Sequence, residues 1–199
     1  KDVELLITMV SENEYSYMFH KPNIQFTPMQ AEALGIRQVM VGTKGEKEKE
    51  LADLEQALKD NGITELFTGA VASSYQKDRI ERICGRLGIA AQSPLWHIDP
   101  MEELTELSDD FNAIVTQVSA EGFDDSFLGA RIDGAMAERL MKLKEKYETN
   151  PLFEGGEAES FVLDAPLFRK AIRITGARKE WEGQVGRYII EKAELVEKR

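Results

Sequence analysis

The stretch TELFTGAVASSYQKDRIERICGRLGIAAQSPLW, Thr64 to Trp96, contains the fold decision in miniature. An apolar run, TELFTGA, leaves through small residues into paired serines, then a helical pattern, and a second run, IAAQSPLW, starts where that pattern stops. Strand, helix and strand in that order form the unit from which parallel sheets are built. Ile80, Ile83, Cys84 and Leu87 mark i, i+3, i+4 and i+7 of a buried helix face. Ser73 or Ser74 supplies the N-cap and Gly88 the stop. Cys84 therefore reads as core and not as a nucleophile.

Outward from this unit the same rhythm continues. ELLITMV, TPMQAEALG, RQVMVG and EKEKELADLEQALKDNG alternate strand and helix patterns ahead of it. Leu51, Leu54 and Leu58 share one helix face, Glu55 and Lys59 form an outward i,i+4 pair, and Gly62 ends the helix. The expected class is α/β, a parallel sheet flanked by helices. After Pro94 the pattern changes to a short acidic helix in PMEELTEL, a strand FNAIVTQVS, a helix from Asp133 to Tyr147 and strand-rich segments to the end. Met136, Leu140, Leu143 and Tyr147 line that helix as core positions. Two domains are expected, 1–99 nucleotide-binding and 100–199 of α+β type, with no internal repeat or low-complexity linker.

With 42% hydrophobic and 31% charged residues the 199-residue chain reads as globular, and no apolar run reaches the ~20 residues of a membrane span. The opening KDVELLITMV reads as a strand and not as a secretory signal, which points to the cytoplasm. A formal charge of −11 argues against a broad nucleic-acid surface, and a single cysteine excludes both a disulfide framework and a thiolate metal cluster.

Three segments carry candidate chemistry. In TGAVASSYQKDR, Gly69, Ala70 and Ala72 leave room for a phosphate or sugar, and Ser73 and Ser74 stand at a helix N-terminus with Arg79 about a turn in. An ordinary capped turn fits the same residues, and no Walker-type glycine-lysine-serine follows. EGGEAES sets Glu154, Glu157 and Glu159 around Gly155 and Gly156; it reads either as a solvated acidic turn or as a site for magnesium, ammonium or a cationic substrate. TMVSENEYSYMFH places Met9, Ser11 and Asn13 at the end of the first strand, where a base could lie against Met9 and Val10. His20 and His97 have no metal-ligand spacing, and there is no serine-nucleophile elbow.

Taken in order, MVSENEYSYMFH, TGAVASSYQKDRIERICGRLGI, PLWHID, VSAEGFDDSFLG and EGGEAESFVLDAPLF resemble the diphthine-ammonia ligase family of PP-loop ATP pyrophosphatases. The resemblance runs from about Met9 to Phe168. It implies a HUP-type, Rossmann-like α/β domain with a smaller C-terminal α+β domain. It also implies a ligase that uses ATP and Mg2+ to amidate the diphthine carboxylate of translation elongation factor 2 with ammonia, through an acyl-adenylate. Met9, Ser11, Gly69, Ser73, Ser74, Tyr75, Gln76 and Arg79 would then hold the nucleotide. Gly155, Gly156, Glu157 and Ser160 would bind substrate, with Glu154, Glu157 and Glu159 catalytic and facing the nucleotide. The trimethylammonium of diphthine and the ammonium ion are both cations that such glutamates attract. Neither nucleic acid nor membrane enters this reading, the identity of any metal ligand is not implied, and a homo-oligomer is left open. The family's Ser-Gly-Gly-x-Asp-Ser loop does not occur in the 199 residues, and the resemblance implies that it precedes Lys1 in the natural protein. Two alternatives remain: another PP-loop reaction such as RNA thiolation, and a non-catalytic nucleotide sensor.

Overall fold

Helix caps and stops set most of the boundaries in this computed structural model, which describes residues 2–13, 22–46 and 48–198. The chain divides into two compact units, Lys1–Lys21 with Gln38–Ile98, and Pro22–Arg37 with Asp99–Arg199.

The first unit is α/β. Strands β1 (Leu5–Ser11) and β2 (Arg37–Thr43) are paired, and the Glu12 N–H donates to the Thr43 carbonyl at 2.9 Å, so their carboxyl ends lie together. Strands β3 (Glu65–Phe67) and β4 (Ala90–Gln92) are parallel, with Leu66 opposite Ala91. Helix α2 (Lys49–Asp60) follows β2, and α3 (Ser74–Leu87) joins β3 to β4. These two-stranded pairs and the apolar faces of the helices share a core of Met9, Leu54, Leu58, Ile83, Cys84 and Ile89. Both local signals hold. Ser73 caps α3 by accepting from the Gln76 N–H at 3.4 Å, and Gly88 ends it at φ 69°. On α2, Lys59 reaches Glu55 at 2.9 Å, and Arg86 of α3 bonds the same carboxylate. Cys84 is buried as expected, and burial pushes its thiol up from the ordinary value.

The second unit is α+β. Helices α4 (Pro100–Asp110) and α5 (Gly134–Tyr147) accompany strands β5 (Asn112–Val118), β6 (Ala158–Asp164), β7 (Lys170–Glu182) and β8 (Val185–Glu197), arranged β6-β5-β8-β7 and antiparallel throughout. Aspartates start both helices: Asp99 accepts from Met101 N–H at 2.9 Å, and Asp133 from Met136 N–H at 2.9 Å. Neighbouring residues of a strand face opposite ways, so β5 serves two cores. Ala113 and Val115 pack with Leu104, Met136 and Leu140 of α4 and α5. Ile114 packs with Phe161, Ile172 and Ile190 under α1 (Thr27–Leu34).

That last placement departs from the sequence reading. TPMQAEALG lies between β1 and β2, where the alternating pattern suggests a helix of the parallel unit, yet α1 covers the antiparallel sheet of the other unit. Directed bonds explain the choice. Asn23, left-handed at φ 57°, donates through its amide nitrogen to the Tyr188 carbonyl at 3.0 Å and accepts from the Ile190 N–H at 2.8 Å, completing part of an open strand edge. Gln30 donates to the Val162 carbonyl at 2.9 Å. Gly35 ends α1 at φ 70°, a left-handed position that favours glycine, and a Cβ there would displace the Arg169 guanidinium. The second unit therefore takes residues 22–37 as well as 99–199. No helix among the described residues is long and apolar enough to cross a membrane.

Candidate nucleotide edge and glutamate turn

Because β3 and β4 are parallel, the segments that follow both of them leave from one sheet edge. Thr68 and Ser93 hold that edge together. The Thr68 N–H donates to the Gln92 carbonyl at 2.9 Å, and the two hydroxyls lie 3.0 Å apart. His97, at φ 60°, donates its N–H to the Val71 carbonyl at 2.8 Å. Its ring stacks on Trp96 with centroids 4.5 Å apart, and the Lys77 ammonium lies 5.0 Å from the centroid of the Trp96 ring. PLWH thus braces the turn that precedes α3. Sequence reasoning recognised the PLWHID motif but not this role, since pairing across 25 residues leaves no local periodicity.

Small residues in the turn divide into two kinds. Ala70 and Val71 are buried. Gly69 is exposed, lacks a left-handed φ, and a Cβ built on it would meet nothing within 4 Å. Neither local packing nor backbone strain requires glycine at that position. Ser74 is exposed, Gln76 is half-buried, and Ser73 faces the N-terminus of a 14-residue helix. Arg79 is committed elsewhere: it donates to Glu48 at 2.7 Å and to the Tyr75 carbonyl at 3.2 Å, and its guanidinium lies 3.5 Å from the Tyr75 ring centroid. Those bonds raise its proton affinity, Glu48 first. The arginine also lines a groove of about 180 Å³ between α2 and α3.

Met9 and Ser11 lie at the carboxyl end of β1. The Met9 side chain is 5% exposed and packs in the core, so it offers a ligand little beyond main chain. The Ser11 hydroxyl donates to the Asn13 carbonyl at 3.1 Å, while the Asn13 amide reaches the Gly45 carbonyl at 3.0 Å. His20 and the rest of EYSYMFH fall outside the described residues.

The glutamate motif lies at the start of β6. Gly156 takes φ 79°, and the Phe153 carbonyl accepts its N–H at 3.0 Å, which closes the turn. Both Glu157 oxygens are engaged, accepting from Asn150 N–H and Gly155 N–H at 2.8 Å each. Its carboxylate therefore builds the turn. Ser119 ties the same turn to β5 by donating its N–H to the Glu157 carbonyl at 2.8 Å and its hydroxyl to the Gly156 carbonyl. Glu154 is half-buried, Glu159 points from β6 opposite Gln117, and Ser160 is exposed opposite Val115. Gln117 in turn lies opposite Arg187 of β8, whose Nε donates to it at 3.2 Å. Sequence reasoning missed Gln117 and Arg187, because register across three strands is not visible along one of them.

The site suits a phosphate-bearing nucleotide on physical grounds: an open glycine, exposed hydroxyl and amide donors, and a helix N-terminus at the carboxyl edge of parallel strands. Magnesium is a different case. Among the described residues no group of three His, Cys, Asp or Glu side chains could hold a metal ion, so such an ion would rely on phosphate oxygens and water.

Fold and site together define an α/β unit with a candidate nucleotide edge, joined to an antiparallel α+β unit with a hydrogen-bonded glutamate turn. Residues 1–91 match the family described as diphthamide synthase N-terminal domain, and 99–196 match the diphthamide synthase C-terminal domain. A diphthine-ammonia ligase from Danio rerio is 34% identical over 176 residues, 80% of this chain and 69% of that protein. The Homo sapiens ligase is 35% identical, covering 71% of this chain and 54% of its own length. The Schizosaccharomyces pombe ligase is 41% identical over 54% of this chain and 18% of its own length. The chain belongs to the diphthine-ammonia ligase family. It spans about half the length of the mammalian relatives and less than a fifth of the fission yeast protein. A solved Methanocaldococcus jannaschii structure described as a predicted subunit of tRNA methyltransferase aligns with 81% of this chain and 84% of its own, at 15% identity and a TM-score of 0.37.

Proposed function

We propose that the protein is an ATP-dependent carbon–nitrogen ligase that converts the diphthine carboxylate of translation elongation factor 2 to the amide of diphthamide, with ammonia as the nitrogen donor. The reading rests on one observation above others: both diphthamide synthase domains match in order and together span almost the whole chain. A carboxylate is a poor acyl donor at neutral pH, and ATP supplies the adenylyl group that makes it a good one, with magnesium neutralising phosphate charge. The edge at Gly69 would receive the phosphates against backbone N–H groups, with Ser73, Ser74 and Gln76 as further donors. Ser11 and the main chain at Met9 would border the nucleotide from β1. Tyr75 and Arg79 would act as one stacked unit, the guanidinium shared with Glu48.

In the glutamate turn, Gly155, Gly156 and Glu157 would fix the backbone while Glu154 and Glu159 attract ammonium or the substrate cation, with Ser160 beside them. Elongation factor 2 as substrate places the work in the cytoplasm. RNA thiolation is disfavoured by the net charge of −11 and by the single, buried cysteine. The test is to incubate the natural full-length protein with ATP, ammonium and the diphthine-bearing factor. Acid-to-amide conversion by mass spectrometry, with AMP and pyrophosphate release that requires both other substrates, is expected. Nucleotide binding without amidation would instead favour a sensor.

A further inference from the structure

Three adjacent strands of the antiparallel sheet, the edge strand β6 and the central β5 and β8, carry a polar row. Glu159 of β6 lies opposite Gln117 of β5, and Gln117 lies opposite Arg187 of β8. Directly opposed residues of antiparallel strands project from the same face. The row therefore presents carboxylate, amide and guanidinium in sequence across strands spaced ~4.8 Å apart. Arg187 is largely shielded, its side chain 23% exposed, and its contacts are modest: Gln117 at 3.2 Å and the 81%-exposed Glu182 at 3.5 Å. Beside it the pairing of β5 slips at Thr116, a residue 1% exposed whose hydroxyl has no hydrogen-bond partner among the described residues. A buried hydroxyl without a partner is uncommon enough in native structures to require a reason. The row also adjoins the glutamate turn directly, since Glu157 is two residues from Glu159 and Ser119 is two from Gln117.

We propose that Glu159, Gln117 and Arg187 form a cradle for a zwitterionic headgroup, a carboxylate and a quaternary ammonium carried on one carbon. The inference rests on the amidation reading above, because diphthine presents that headgroup. Arg187 receives the carboxylate through two N–H groups, a geometry its planar fork favours. Glu159 faces the trimethylammonium, which donates no hydrogen bond and is held by charge and contact. Gln117 bridges the two and keeps the guanidinium in plane. A dipolar ligand matches a row that carries one charge of each sign at its ends, whereas a simple anion would meet Glu159 and a simple cation would meet Arg187. Specificity follows from the same arrangement: the unmethylated amine in place of the trimethylammonium group is smaller and strongly hydrated.

The test compares Arg187→Met, Arg187→Lys, Gln117→Leu and Glu182→Ala in the natural full-length protein by steady-state amidation of diphthine-bearing elongation factor 2. Glycine betaine serves as a competing small probe. Arg187→Met and Gln117→Leu should raise KM for the factor at least tenfold with KM for ATP unchanged. Arg187→Lys should restore part of the loss, and Glu182→Ala should match the wild type. Glycine betaine should compete against the wild type and lose that effect in Arg187→Met. An unchanged KM for the factor in folded Arg187→Met and Gln117→Leu, checked by circular dichroism, overturns the cradle while amidation stands. If the wild type amidates nothing, the reading of the function fails first, and binding of glycine betaine followed by NMR of the Arg187 and Gln117 side chains decides the cradle separately.

Discussion

Gly155 donates its N–H to Glu157 at 2.8 Å, and a Cβ on Gly155 would lie 2.6 Å from the other oxygen of the same carboxylate. The two residues define each other: glycine leaves room for a carboxylate that then satisfies two main-chain amides. Glu157→Gln replaces one accepting oxygen with a donor facing a donor, and should cost about 1–3 kcal/mol of stability. Glu154→Gln should cost less, because it leaves both main-chain bonds to Glu157 in place. Urea denaturation of both variants checks the contrast, which separates the glutamate that builds the turn from its neighbour.

Asn23→Ala removes a side chain that pairs with Tyr188 and Ile190 of β8 from a left-handed backbone position. Two bonds to the strand edge are lost and the Ile190 N–H is left buried without a partner, so roughly 2–3 kcal/mol is expected. Amide exchange at Ile190 should accelerate while exchange within α3 stays unchanged. Equal acceleration in both places would mean that the clamp acts on the whole fold and not on its own unit.

Cys84 is 1% exposed, and burial holds its thiol above the ordinary value, Glu81 adding a smaller push. Only the thiolate attacks disulfide reagents, so the native protein should react with Ellman's reagent only on opening, at least 100-fold more slowly than the unfolded chain, on the order of the protection expected for a buried thiol. Rapid labelling of the native protein would contradict this placement.

Glu103 of α4 has one carboxylate oxygen buried without a hydrogen-bond partner among the described residues, and desolvation, then Glu106 and Glu102, raise its proton affinity. The folded state therefore takes up this proton more readily than the unfolded state. The contribution to stability is full below the ordinary glutamate value and is lost as pH rises through the higher folded one. Glu103→Gln should be the more stable protein at pH 7, because it removes the buried charge. The two should converge in acid, as denaturation midpoints at pH 4 and pH 7 would reveal.

Much of the molecule was legible along the chain. Ser73 caps, Gly88 and Gly62 stop, and Ile83 with Cys84 faces inward because each of these outcomes depends on residues within a turn or two. Glu55 and Lys59 pair for the same reason. The ordered motifs pointed to the family that the two domain matches identify, while charge and cysteine content argued only against nucleic-acid and thiolate-metal sites. What resisted was long-range. TPMQAEALG reads as a helix from either side, but Asn23 and Gln30 choose its partner by bonding to β8 and β6, more than a hundred residues away.

The candidate site divides along the same line. Small residues at Gly69 and the glycine pair at Gly155 are visible in the sequence, and so is the nearby acidic charge. Whether a Cβ would crowd a carboxylate, as at Gly155, or stand in open space, as at Gly69, depends on how the surrounding atoms are folded around it. The row of Glu159, Gln117 and Arg187 exists only through strand register, set by the bulge at Thr116 and by the pairing of β5 with two neighbours. Local hydrogen bonds and periodic burial are encoded in short windows and were determined by the sequence alone. Neighbourhood across strands follows from the lowest-energy packing of the whole chain, which only the tertiary structure decided.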